Sequence, residues 1–176
     1  MSFTWKVRSE HFNPDKPICF LDIDGVLNSN AWAKTERFQE LRSIRILKNG
    51  ADITERFDQI DPTAVGYLNE IADWNFVLSS TWRSSGYEKI QMLLQAVGFQ
   101  GKFCGQTPVN TFDNIRGNEI YEWLKQNCSK YYDVKRYVIF DDDSDMLLWQ
   151  KDNFIHVDGY YGLSPNHVYR AKRICT

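Results

Sequence analysis

The sequence predicts an α/β fold with a mainly parallel sheet between helical layers. Three short stretches predict it. Ile18-Cys19-Phe20-Leu21, Phe76-Val77-Leu78 and Tyr137-Val138-Ile139-Phe140 are unbroken apolar runs, the pattern of strands buried on both faces. Segments of helical periodicity separate them, and strand–helix alternation indicates a parallel sheet. Each run also ends in a polar or charged cluster: Asp22/Asp24, Ser79-Ser80-Thr81-Trp82-Arg83, and Asp141-Asp142-Asp143-Ser144-Asp145. Open α/β sheets bind ligands at the carboxyl ends of their strands. If the three strands are neighbours, the three clusters share one crevice.

The first run carries the sharpest chemistry. On a strand, residues i and i+2 point the same way. Asp22 and Asp24 would therefore crowd each other if strand geometry continued to them, and Gly25 permits a sharp turn just beyond. Close carboxylates need a cation or a shared proton. Hard oxygen ligands favour Mg²⁺ over zinc.

Composition bounds the rest. At 176 residues one domain spanning 1–176 is expected, burying roughly 70% of its unfolded surface. A hydrophobic content of 43% with 15% aromatics supplies a core. The net charge of −2 gives the whole molecule no strong pull toward nucleic acid or membrane, so a basic site must be a local patch. Cys19, Cys104, Cys128 and Cys175 form no CxxC pair; they read as reduced structural thiols of a cytoplasmic protein rather than zinc ligands. No apolar run approaches the roughly 20 residues of a membrane span.

In chain order, residues 1–16 read as an irregular lead-in, with Pro14 and Pro17 announcing the first strand. Residues 31–48 are basic, with Lys34, Arg37, Arg42, Arg45 and Lys48. Asn49-Gly50 favours a type I′ turn, so a helix or loop near 31–40 and a hairpin near 44–56 are expected. The competing reading is one basic helix over 31–48. Asp61-Pro62 starts a helix to about 73 by N-cap and N1 proline. A helix over 86–97, closed by Gly98, presents Ile90, Leu93, Leu94 and Val97. A strand at 102–105, a loop over 107–115, and a helix over 116–126 follow. Met146 to Trp149 is expected as a short helix, Phe154 to Val157 as the last strand, and 164–173 as the last helix.

These residues resemble the haloacid dehalogenase (HAD) superfamily of aspartate-nucleophile phosphohydrolases. Asp22-Ile23-Asp24-Gly25-Val26 is similar to its first motif, Val77-Leu78-Ser79 to its second, and Tyr137 to Asp145 to its fourth. More narrowly, Leu21 to Asn28, Leu78 to Arg83, Arg116 to Ile120 and Asp141 to Met146 resemble the HAD domains of RNA-repair-type (Swiss Army Knife) proteins. The resemblance covers about residues 17–173 and implies a HAD-like Rossmannoid three-layer α/β/α sandwich.

It also implies roles. Asp22 would be the nucleophile that forms an aspartyl-phosphate, and Asp24 the general acid and then base. Mg²⁺ would be held by the Asp22 carboxylate, the Asp24 backbone carbonyl and an acid of the last cluster, with Asp141 and Asp142 the direct candidates. Asp145, four residues past Asp141, has the family's spacing for its last acid; Asp143 could cap a helix. Ser79 would bond a phosphoryl oxygen, with Ser80 the alternative one residue on. Arg116, before a helix whose N–H groups favour an anion, fits the third motif best, with Lys102 its rival.

Beyond the motifs, Arg83 could reach substrate, Trp82 could stack on a base or fill the core, and Asn28 could line the site mouth or shape a turn. His11, His156 and His167 are scattered, and His156 in its apolar strand reads as a core histidine. The stretch 29–60 is too short for a large helical cap and could be a small flap. A nearly capless site suits a large substrate. The expectation is a Mg²⁺-dependent phosphomonoesterase, with a nucleic-acid end as partner and the 34–48 basic stretch contacting phosphates. A receiver-like phospho-aspartate module and a non-catalytic HAD-fold binding domain are the alternatives. The DxDG sequence on the first strong strand favours the hydrolase.

Overall fold

The three unbroken apolar runs form the middle of one sheet. In the computed structural model, which describes residues 12–109, 115–128 and 136–176, β1 (Ile18–Leu21) and β2 (Asn75–Leu78) consist wholly of buried residues. So does β4 (Tyr137–Asp141). With β3 (Lys102–Gln106) and β5 (Phe154–His156) they give the order β3-β2-β1-β4-β5, every pair parallel. The expected three neighbours are the three central strands. Their register is level, because Leu21 lies opposite both Leu78 and Phe140. The next residues, Asp22, Ser79 and Asp141, therefore emerge side by side at the carboxyl edge. The lead-in reading for residues 1–11 and the loop reading for 110–114 lie outside the described residues.

Strand alternation sorts the core into two layers. Cys19, Leu21, Phe76, Leu78, Val138 and Phe140 face one way. Onto them pack α3 (Pro62–Leu68), α4 (Tyr87–Ala96) and α6 (Pro165–Ile174). Ile18, Phe20, Val77, Tyr137 and Ile139 face the other way, against Ile120, Trp123 and Leu124 of α5 (Arg116–Asn127). Trp123 and Tyr137 both meet the Phe20 ring edge-on, at 5.4 and 6.0 Å between centroids, an arrangement that adds to plain area burial. The N-terminal signals acted as expected: the Asp61 side chain accepts from Thr63 N–H, with Pro62 in the first turn. Near Trp149 the expected short helix is a 3-10 turn at Leu148–Gln150.

The expected hairpin near 44–56 is absent. The region holds α1 (Asn30–Ala33), α2 (Glu36–Leu47) and two 3-10 turns, Ile53–Glu55 and Phe57–Gln59. Asn49 does adopt the positive φ (54°) that its dipeptide favours, but it uses it to end a helix. Asn49 N–H donates to Ile46 O and Gly50 N–H to Arg45 O, the paired bonds of a Schellman C-cap. The alternative reading of a basic helix was the sounder one, interrupted where Thr35 caps α2 by accepting from Phe38 N–H.

α2 has no buried residue. Phe38 meets the buried Trp32 ring edge-on, 6.4 Å between centroids, and a polar tether adds to this. The Arg45 guanidinium grips the buried Asp58 carboxylate in bidentate fashion, at 2.7 and 3.0 Å. Arg37 pairs with Glu40. Two of the five cations that gave this stretch its basic character are thus already paired with carboxylates.

Candidate active site

β1 ends at Leu21, but Asp22 still donates its N–H to Phe140 O at 3.0 Å. The chain then turns, with Val26 and Leu27 N–H both donating to Ile23 O. The turn puts the two carboxylates in different surroundings, although the Asp24 charge still raises the Asp22 carboxyl. Asp22 is buried, at 5% exposure, whereas Asp24 is exposed. The close acidic neighbours of Asp22 come instead from the end of β4. Carboxylate oxygens of Asp22, Asp141 and Asp142 all lie within 4.8 Å of one another. The Asp24 carboxylate is outside this set.

Gly25 makes the cluster possible. It has φ +69°, and a Cβ there would lie 2.2 Å from Asp142 Oδ2. Gly159 presses on the same carboxylate from another side, where a Cβ would lie 2.7 Å away. Gly25→Ala is therefore expected to destabilise the protein by at least about 1 kcal/mol through left-handed strain alone, and to push Asp142 out of the cluster. Chemical denaturation with Mg²⁺ titration checks both effects. Unchanged Mg²⁺ affinity would show that Asp142 need not be held there.

Burial is the main force raising the Asp22 and Asp141 carboxyls above the usual carboxylate range. Asp22 raises Asp141 further, while Arg116 opposes both shifts. Asp142 is raised by burial and then by Asp143. Arg116 reaches in from the start of α5, with Nε 3.2 Å from Asp141 Oδ2 and Nη2 3.8 Å from Asp22 Oδ1. The rival for its position fails on placement. Lys102 begins β3 opposite Asn75, at the amino edge of the sheet, and is exposed.

Two side chains turn differently from expectation. Arg83 points inward rather than toward a substrate. It is 6% exposed, donates to Ser79 O at 2.9 Å and Ser80 O at 2.8 Å, and pairs with Glu119 at 2.5 Å. Buried backbone carbonyls need donors, and the guanidinium fork supplies two where the chain leaves β2. Of the two serines, Ser80 is the one whose side chain acts to lower the Asp22 carboxyl, while its hydroxyl accepts from Trp82 N–H. The Ser79 hydroxyl is buried with no hydrogen-bond partner. Both serines thus lie where the chain leaves β2 beside Asp22.

Asn28 and Trp82 together fix Asp24. Asn28 Nδ2 donates to Asp24 Oδ1 at 2.6 Å, while Asn28 Oδ1 accepts from Gly25 N–H at 2.9 Å. Trp82 Nε1 lies 3.1 and 3.0 Å from the two Asp24 oxygens. Trp82 packs against the core as well, so it joins the core to the DxD turn. Sequence reasoning weighed it only as a stacking or core ring; the indole N–H was the missed signal. Glu119 was missed too. It is buried and bridges Arg83 and Arg116, the latter at 3.5 Å. Its place one helical turn after Arg116 was the available clue.

The remaining acids are placed apart. Asp145 Oδ2 accepts from Arg116 N–H at 2.8 Å, securing the first turn of α5. Asp143 N–H donates to Asp141 Oδ1. His156 is an exposed residue rather than a core one, its Nε2 2.9 Å from Asp142 O.

The donor set suits a hard divalent cation. Three carboxylates converge, and Asp141 Oδ2 is buried without a hydrogen-bond partner, facing Arg116 only at ion-pair distance. Anions held together against burial and mutual repulsion are what a cation of this kind would relieve.

A parallel sheet with an acidic cluster, an arginine and a serine at the carboxyl edge of its middle strands defines a HAD-like Rossmann-type α/β protein. The chain belongs to the family described as the HAD domain in Swiss Army Knife RNA repair proteins, whose model matches residues 18–168. Comparison with curated proteins and with solved structures finds no match. Family membership supports a HAD-type phosphohydrolase in general. Among the described residues, no helix is long and apolar enough to cross a membrane.

Proposed function

We propose that the protein is a Mg²⁺-dependent phosphomonoesterase that works through an aspartyl-phosphate and removes the terminal phosphate of a polynucleotide or nucleotide. The observation that carries this reading is the buried Asp22 carboxylate facing Asp141, Asp142 and Arg116 at the end of the central strand. An Asp22 oxygen attacks phosphorus as the P–O bond to the leaving group breaks, and Asp24 gives its proton to the leaving oxygen. Asp24 then takes a proton from water, whose oxygen attacks phosphorus. The bond to Asp22 breaks and inorganic phosphate leaves. Arg116 and the Ser79 hydroxyl, with Ser80 the alternative one residue on, hold phosphoryl oxygens. Asp22, Asp141 and Asp142, with the Asp24 backbone carbonyl, would hold Mg²⁺. Bound there, the cation supplies Lewis-acid charge neutralisation between nucleophile and phosphate.

The substrate class is supported by the family's description and by the shape of the intervening chain. We read residues 1–176 as one hydrolase domain of cytoplasmic type, with 29–60 as a small flap. That stretch forms α1, α2 and two 3-10 turns rather than a large cap, and a nearly capless site suits a polymer end. The test is phosphate release with Mg²⁺ from 3′- and 5′-phosphorylated oligonucleotides, nucleotides, sugar phosphates and an aryl phosphate. Turnover of oligonucleotides is expected. Activity on small metabolites alone would remove the nucleic-acid part. Absence of turnover on all of them would remove the hydrolase and favour a receiver-like module or a binding domain.

The raised carboxyls also give a pH signature. In the unfolded chain these groups lose their protons near pH 4; in the native protein without metal, Asp22 and Asp141 hold theirs to higher pH. The native state then binds more protons, so the stability these groups contribute is greatest in acid and falls as pH rises through their raised values. Metal-free protein is expected to melt lower at pH 8 than at pH 6. Mg²⁺ should raise the melting temperature by several degrees at pH 8 and by less at pH 6. Asp141→Asn should remove most of that difference, as differential scanning calorimetry would read it.

A further inference from the structure

The turn that follows β5 displays two tyrosines with no role in the chemistry above. Tyr160 and Tyr161 are 43% and 71% exposed. Their rings meet edge to face, 4.9 Å between centroids. Lys34, the C-cap residue of α1, joins them, its Nζ 3.1 Å from Tyr160 Oη and 4.7 Å from the ring centroid. Scattered exposed aromatics need no explanation; a locked pair carrying a cation does.

Backbone bonds hold this group rigidly at the site. Asp158 accepts from Tyr160 N–H through its side chain at 2.9 Å and from Gly162 N–H through its carbonyl at 2.8 Å. Asn30 N–H donates to Gly159 O and Ala31 N–H to Tyr160 O, at 3.2 and 2.8 Å. Leu163 N–H donates to Val26 O at 2.9 Å. The turn is thereby stitched to the chain just after the DxD sequence. Gly159, immediately before the tyrosines, is the residue pressed against Asp142. The aromatic pair thus stands at the rim of the acidic cluster, on the same sheet edge.

We propose that Tyr160, Tyr161 and Lys34 form a stacking platform for the unpaired terminal base of a single-stranded nucleic acid whose end phosphate is presented to Asp22. The proposal names the recognition surface of the phosphatase site and rests on that reading. The chemistry selects the ligand. Exposed tyrosine faces stack on any base whose π-face is free. Lys34 adds a second cation to Arg116 on this edge, where it offsets repulsion between the acidic cluster and a polyanion. A platform fixed by backbone bonds loses little freedom on binding. A small sugar phosphate would use neither ring.

Fluorescence anisotropy tests this on the full chain carrying Asp22→Asn, so that no phosphate is removed during the measurement. The probes are short single-stranded RNA and DNA oligonucleotides with a terminal phosphate, 3′ in one set and 5′ in another, each paired with a version lacking the terminal base. Tyr161→Ala and Lys34→Ala are expected to weaken binding of the complete oligonucleotide about tenfold, in RNA and DNA alike, with Tyr161→Phe within about twofold of the parent. Removing the terminal base should weaken the parent about tenfold and make Tyr161→Ala nearly silent, the coupling expected of a direct contact. An unchanged affinity in Tyr161→Ala, an equal loss with and without the base, or no oligonucleotide binding by the parent would each overturn the platform. Aryl phosphate turnover by the chain with Asp22 intact reports on the hydrolase separately. If that turnover persists while the platform fails, only the platform is lost; if it is absent, the reading beneath it is lost too.

Discussion

Asp22→Asn is expected to lower phosphate release by at least about 10⁴-fold, on the scale seen when an enzyme loses its nucleophile, while the fold survives. The amide keeps the shape of the carboxylate, but it cannot displace a leaving group. The same change removes one of three crowded acids. Asp22 ionises against burial, and it raises Asp141 by repulsion. Metal-free Asp22→Asn protein should therefore be at least as stable as the parent at pH 8, and its Mg²⁺ affinity should fall. Phosphate release, Mg²⁺ titration and chemical denaturation check the three parts. Full activity in Asp22→Asn would take the nucleophile away from this residue.

Glu119→Ala should be the most damaging change to stability. Glu119 is the counter-charge of two arginines, Arg83 at 2.5 Å and Arg116 at 3.5 Å, and all three side chains are at least largely buried. Removing one partner of a buried ion pair typically costs 3–5 kcal/mol, because the remaining charge is left uncompensated. For a domain of this size that corresponds to a fall in melting temperature of about 10 °C. Loss of the bridge also removes one of the three carboxylates that hold Arg116 in place, and misplacement of such a group by about 1 Å can cost on the order of 10² in rate. Glu119→Gln keeps the shape without the charge and should fall between. A calorimetric scan and kcat measured below the melting transition separate the two effects. A melting temperature within 2 °C of the parent would show that the arginines find other anions.

The central strands were legible because burial on both faces removes alternation and leaves bare apolar runs, and their level register made the converging clusters legible as well. Direction was hidden. Arg83 lies in a polar cluster at a strand end, where a cation reads as a ligand for phosphate; only the packed structure shows it serving two carbonyls and Glu119. Asn49-Gly50 was misread because a type I′ turn and a Schellman cap ask for the same left-handed backbone. What separates them is whether the preceding residues are already helical, which the weakly amphipathic α2 does not announce. Period-two reasoning found one acidic neighbour of Asp22, Asp24, whose charge still raises it, but not the closer-knit set with Asp141 and Asp142. The acids that Asp22 meets lie far along the sequence, and the order of the strands brings them in.

That order governs when the site can exist. β1 carries the first acid, but its neighbours are β2 and β4, so Ile18 waits for Asn75 on one side and Tyr137 on the other. Non-local pairing of this kind is slow to form, since chain closure must be completed before contacts repay it. A nascent chain that has emerged only through α4 can hold Asp22 and Ser80 but lacks Asp141, Asp142, Arg116 and Glu119. The acidic centre is therefore a late product of folding, and no partial chain ending before β4 can carry the chemistry.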